Sequence, residues 1–173
     1  MSEFNQCASL CNTKDLLQAE TLYTRLLSEG KNPLGYMLEL QNSLQETLAG
    51  SLGRLKAPRS LRTKGDLYDF VLNQKIAIDD EWREMVEAMA GMSMPEKDRS
   101  ALWKKWKGKY DEVRGQNVLD MSREDRLELL FEFIDIQHFI LNVQLALDIS
   151  DKDVFIMYCL KQAENVARQE RGY

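Results

Sequence analysis

A single histidine and three cysteines leave little material for nitrogen- or sulfur-based metal sites in a chain of 173 residues. Cys7 and Cys11 are four apart, but with only His138 to join them they lack the ligands of a structural zinc site. An odd number of cysteines cannot close a disulfide framework, and it predicts a reducing compartment. Long apolar runs are also missing: none reaches the ~18–20 residues of a membrane span, and the first residues carry no signal-peptide pattern. No membrane association and a cytoplasmic location are therefore expected. Positive charge is scarce too. With 23 Lys and Arg against 28 Asp and Glu, the net charge is −5, which gives no electrostatic reason to bind nucleic acid directly. Such a chain can handle a polyanion only through bridging cations or a few local lysines and arginines.

What is present suits one globular domain over residues 1–173, with 44% hydrophobic and 29% charged residues. Only three prolines and nine glycines punctuate the chain, and the prolines fall between periodic segments. A helix is predicted over about 13–29, with Leu16, Leu22, Tyr23, Leu26 and Leu27 on one face, stopped by Gly30 and Asn32-Pro33. A second follows Pro33, with Met37, Leu40, Gln41, Leu44, Leu48 and Leu52 at helical spacing. Residues 54–62 read as a basic loop around Pro58. The next helix, about 65–90, repeats Val71, Ile78 and Met85 every seven residues, with Leu67, Gln74, Glu81 and Ala88 between them. After a loop over 91–98, a short helix is expected to carry Trp103, Trp106 and Tyr110 among several lysines. Ser122 with Asp125, and Ser150 with Asp153, resemble capping boxes that open helices over 122–147 and 150–168. No β-alternation and no repeat is found. The fold class is all-α, a bundle of about six helices.

The helix over 122–147 is apolar nearly all round, yet Glu128, Glu132, Asp135 and Asn142 fall in a stripe about 80° wide, with His138 at its margin. Carboxylates in an apolar setting are costly unless something positive compensates them. Either the stripe is the helix's wet face, or it is a metal-binding row opposite a second acidic helix. Residues 65–90 offer that partner in Glu81 and Glu84, with Asp79 and Asp80 read as solvated surface and Glu87 as an alternative to Glu81. Two carboxylates three apart on each of two helices make the oxygen-rich donor set that hard Mg²⁺ prefers.

Glu81-Trp-Arg-Glu84 and Glu132-Phe-Ile-Asp135-Ile-Gln-His138-Phe-Ile-Leu-Asn142 resemble the metal motifs of the all-α, dimeric dUTPase group, relatives of the MazG-type pyrophosphatases. Trp103-Lys-Lys-Trp-Lys107 is similar to that group's Trp/Lys motif. The tail from Tyr158 through Lys161, Asn165 and Arg168 to Tyr173 is similar to its phosphate-binding motif, and Leu40-Gln41 with Leu44-Gln45 to its base-contacting one. Within the group, the chain from Phe4-Asn5-Gln-Cys7 to Arg-Gly-Tyr173 resembles the dCTP pyrophosphatases of T-even-type bacteriophages. It departs from many members at Gln45 and Gln162, where they carry Asn.

The resemblance implies hydrolysis of dCTP and dUTP, and of the diphosphates, which would remove cytosine and uracil nucleotides from a phage DNA precursor pool. Glu81, Glu84, Glu132 and Asp135 would hold two or more Mg²⁺ ions, with Mn²⁺ as a substitute, and Glu81 or Glu84 would activate the water. Lys107, Lys161, Asn165, Arg168 and Tyr173 would bind phosphates, with Lys104 a further candidate. Gln41, Trp103, Trp106, His138 and Asn142 would meet the base and sugar. Of the two tryptophans, one is expected in the core and the other at the base. His138 reads either as a core residue or as the deoxyribose contact. A homodimer, and association with a phage nucleotide-synthesis complex, are implied in the same way. Two other readings stay open: a MazG-like pyrophosphatase of other nucleotides, and a non-catalytic helical dimerisation or adaptor module.

Overall fold

A computed structural model of the chain describes residues 13–52, 56–91 and 94–172. Among these residues there are seven α-helices and no strand: α1 (Thr13–Ser28), α2 (Pro33–Leu52), α3 (Lys64–Ala88), α4 (Glu96–Arg99), α5 (Tyr110–Arg114), α6 (Arg123–Ala146) and α7 (Asp151–Glu170). Single 3₁₀ turns occur at Pro58–Ser60, Ser100–Leu102 and Val118–Asp120. The fold is all-α, as the periodicity predicts.

The helix ends follow the expected chemistry. Gly30, at φ 68°, lets Gly30 N–H reach the Leu27 carbonyl at 3.1 Å and Lys31 N–H the Leu26 carbonyl at 2.9 Å, the Schellman pattern that closes α1. Pro33 opens α2 behind an Asn32 side chain that accepts from Leu34 N–H at 3.1 Å. Ser122 accepts from Asp125 N–H at 3.0 Å at the head of α6. At the head of α7 both halves of the capping box form: Asp153 N–H donates to Ser150 Oγ at 3.1 Å, and Ser150 N–H to Asp153 Oδ2 at 3.0 Å.

One expected element is corrected. Trp103, Trp106 and Tyr110 do not share a helix: the chain leaves Ser100–Leu102 into successive turns and becomes helical again only at Tyr110. Lys104 and Lys107, and Lys105 and Lys109, would sit three and four apart on a helix and repel each other, and Gly108 weakens it further by about 1 kcal/mol. The aromatic spacing imitated a helical face that the charges oppose.

The chain groups into two compact units, residues 13–24 with 73–140 and residues 25–72 with 141–172. In the first, Ala90, Ala101 and Val113 form a buried cluster covered by Met94 and Leu102. The buried Arg99 lies alongside this region and donates to the Met94 carbonyl at 3.1 Å. In the second, Asn32 Nδ2 donates to Asp151 Oδ2 at 2.5 Å, linking the head of α2 to the first turn of α7. Gly35 allows this approach, since a Cβ there would stand 3.1 Å from Asp151 Oδ2. α6 is long and apolar enough to cross a membrane by length and composition, but two of its acids, Glu128 and Glu132, are buried in the protein.

Candidate metal centre

The acidic stripe of α6 is only partly wet: Asp135 is exposed, while its neighbours in the stripe are not. Glu128 and Glu132 are buried, Glu132 to 6% exposure, whereas Leu130 and Phe133 on the same helix are exposed. Within the first unit, α3 brings a half-buried Glu81 to this stripe. One carboxylate oxygen each of Glu81, Glu132 and Asp135 lies within 4.8 Å of the others. Helical spacing accounts for the α6 pair, since residues three apart share a face.

Such crowding perturbs the acids. Burial and then repulsion from Glu84, Glu81, Asp135 and Glu128 push Glu132 up to about 7. Glu81 is also raised, first by burial and then by the charges of Asp135, Glu84 and Asp80, with Arg83 opposing. Loss of water raises Asp135, and nearby His138 pulls the other way. The donors are all hard oxygens, and their mutual repulsion is what a divalent cation between them would relieve. By that test the residues fit Mg²⁺.

Glu84 is placed differently. Its Oε1 lies 3.3 Å from Arg83 Nη2 and it falls outside the three-acid group, yet its charge helps to raise Glu132. Asp79 and Asp80 are exposed surface acids paired with Lys75 and Arg83. Two residues were not singled out from sequence as part of the site. Glu128, one turn before Glu132, was visible in the stripe; Arg83 was marked only by acids three before and four after it.

The Trp/Lys turn belongs to the same unit. Both tryptophans are exposed, Trp103 at 43% and Trp106 at 76%, so the expectation that one lies in the core is corrected. A turn cannot bury both faces of its rings as a helix packed on a core would. Lys104 Nζ stands 4.5 Å from the centre of the Trp103 ring, and Lys107 Nζ donates to the Lys97 carbonyl at 2.8 Å. His138 is exposed beside Asp135, outside the core. A groove of about 990 Å³ opens beside the turn, between Met89, Met94, Leu102, Trp103, Val113 and Met121, and none of the four acids lines it.

The second unit holds the other candidates. Gln41 and Asn142 are buried, and Gln41 Nε2 donates to Asn142 Oδ1 at 2.7 Å. Lys161 and Asn165 are exposed on α7. Glu164 Oε1 accepts from Arg168 Nε at 3.0 Å and from Arg171 Nη2 at 2.9 Å. Tyr173, Cys7 and Cys11 lie outside the described residues.

No family model matches the chain, and neither does any solved structure. Curated relatives do. The dCTP pyrophosphatase of Enterobacteria phage T4 is 41% identical over 173 residues, the full length of both chains. That of Enterobacteria phage LZ5 is 41% identical over 174 residues, again the full length of both. A DNA replication protein of Enterobacteria phage T4 is 41% identical over 161 residues, which are 93% of this chain and 41% of that protein. Identity of this size over entire chains shows kinship, and the chain belongs to the phage dCTP pyrophosphatase family.

Proposed function

We propose that the chain is a Mg²⁺-dependent hydrolase of dCTP and dUTP, and of dCDP and dUDP, working as one catalytic domain in the host cytoplasm to clear cytosine and uracil nucleotides from a phage precursor pool. The observation that carries this reading is the convergence of Glu81, Glu132 and Asp135 oxygens within 4.8 Å, in a chain kin over its full length to proteins named dCTP pyrophosphatase.

Glu81, Glu84, Glu132 and Asp135 are the residues that would hold two or more ions. When bound, Mg²⁺ (or Mn²⁺) supplies charge neutralisation for the polyphosphate and a more acidic water. Glu81 is read as the base. Its burial and acidic neighbours raise its pKa, which suits a group that must take a proton near neutral pH. The water attacks the α-phosphorus, its proton passes to a Glu81 oxygen, and the bond from the α-phosphorus to the bridging oxygen breaks. The products are a monophosphate and pyrophosphate, or phosphate when the substrate is a diphosphate. Lys107, Lys161, Asn165, Arg168 and Tyr173 would neutralise the leaving phosphates, Arg168 best of all because its fork can take two oxygens. Gln41 and Asn142 would read the base edge, with Trp103, Trp106 and His138 against base and sugar.

A homodimer is part of the proposal, as is association with a nucleotide-synthesis complex. Support for the dimer lies on α7, where Val154, Phe155, Ile156, Met157, Tyr158 and Leu160 are all exposed in the single chain. The deciding experiment is release of pyrophosphate from dCTP, dUTP, dTTP and dATP, with Mg²⁺ and with chelator. Magnesium-dependent turnover confined to dCTP and dUTP is expected. Absence of turnover on all four would end the reading.

A further inference from the structure

Arg83 stands in the middle of the first acidic motif and contacts three carboxylates of its own helix. Its Nη2 lies 2.8 Å from Asp80 Oδ1 and 3.3 Å from Glu84 Oε1, and its Nη1 lies 3.6 Å from Glu87 Oε1. Asp80 and Glu87, three before and four after, are ordinary helix-surface partners. Glu84 is not. Adjacent residues on a helix point about 100° apart, so a contact between 83 and 84 forms only when the Glu84 side chain is drawn round toward the guanidinium. The two ordinary pairs anchor the guanidinium, and the third contact uses that anchored group to hold Glu84.

The held carboxylate is the one beside the centre. Glu84 is half-buried, and its charge bears on both Glu81 and Glu132, which group with Asp135. Without a cation at its rim, the Glu84 carboxylate would be driven away from the other three. Arg83 engages one of its oxygens, Oε1, and leaves the second outside that contact. Carboxylate ligands of metals are commonly oriented by such hydrogen-bonded partners, whose loss costs about 10–100-fold in metal affinity.

We propose that Arg83 is a positioning residue that holds the Glu84 carboxylate at the rim of the Glu81, Glu132 and Asp135 group, poised to complete a divalent-cation site. This rests on the metal-centre reading above and adds to it a residue that touches neither ion nor substrate. An arginine is needed because two of its nitrogens serve three carboxylates at once, which the single nitrogen of a lysine cannot reproduce.

The test is Mn²⁺ binding to the full-length chain, measured by calorimetry or by the paramagnetic signal of the free ion, without nucleotide. Arg83→Gln should weaken Mn²⁺ binding by about 10–100-fold, and Arg83→Lys by less. In a Glu84→Gln background, Arg83→Gln should change nothing further, because the side chain it positions is already disabled. An unchanged affinity in Arg83→Gln would overturn the inference, and so would an equal loss with and without Glu84. If the wild-type chain takes up no Mn²⁺ at all, the metal-centre reading itself falls and takes this inference with it. Arg83 is exposed, so folding is not at stake, and far-UV circular dichroism checks it.

Discussion

Gln41 Nε2 donates a 2.7 Å hydrogen bond to Asn142 Oδ1, and both side chains are 3% exposed, although 101 residues separate them in sequence. Truncating one partner leaves a buried amide without its mate, a loss of about 1–3 kcal/mol. Gln41→Ala and Asn142→Ala should each lower the unfolding free energy measured in urea by that amount. A bonded amide pair can also reverse its polarity only if both members flip together, exchanging a donor for an acceptor on each. Cytosine and uracil differ by that same exchange at adjacent edge positions. Asn142→Asp removes the exchange, and the ratio of dCTP to dUTP specificity constants should move by about tenfold or more. An unchanged ratio would remove these amides from base selection.

The acids should separate stability from activity. Glu132 is buried among like charges, so Glu132→Gln removes a repelling group and keeps its shape. In chelator at pH 8 the variant should melt no lower than wild type, and turnover of dCTP with Mg²⁺ should fall by at least about a hundredfold. Asp135→Asn should behave alike. A variant that retains turnover would take its residue out of the proposed ligand set, and one that only unfolds would mark a structural acid.

Stability should respond to pH in a defined direction. Glu132 titrates near 7 in the folded chain against an ordinary 4.5, so between those values the folded state binds the extra proton. Its contribution is fully present below about 4.5 and is lost as pH rises through 7. Glu81 and Asp135 are raised as well and add in the same sense. Asp66 and Asp153 are lowered, by Lys56 and Ser150 respectively, and act only below the ordinary carboxylate range. The melting temperature of metal-free protein should therefore fall between pH 5 and pH 8, by about a few degrees. Saturating Mg²⁺ should recover it at pH 8, since a ligand of the folded state alone stabilises it by mass action. A flat or rising profile without metal would contradict the crowding of these acids.

Those acids mark how far local pattern reaches. Ser122, Ser150, Gly30 and Pro33 act through neighbours a few residues away, so the helix ends they set were legible. Glu132 with Asp135 was legible for the same reason, as two residues three apart on one face. That Glu81 meets them depends on packing α3 against α6, which periodicity allows without requiring. From Trp103 to Tyr110 the aromatic spacing imitates a helical face, while the repulsion of the lysines and the cost of Gly108 oppose the helix. The role of Arg83 is not legible in local pattern, because its contact with Glu84 joins adjacent residues, which a regular helix keeps apart.

α7 carries the last prediction. A helix apolar on several faces is normally buried, yet Phe155 is 70% exposed and Tyr158 69%, and Val154, Ile156, Met157 and Leu160 around them are exposed too. Inside one chain these side chains contact little, so a charge at Phe155 or Tyr158 should leave the isolated fold within about 0.5 kcal/mol of wild type. At a subunit interface the same charge would be desolvated without a partner, at a cost of several kcal/mol in association. Sedimentation equilibrium should find wild type dimeric and Phe155→Asp or Tyr158→Asp displaced toward monomer, with helical circular dichroism intact. A wild type that sediments as a monomer at micromolar concentration would leave that apolar surface without the partner assigned to it. Variants that stay dimeric would place the interface on another face of the chain.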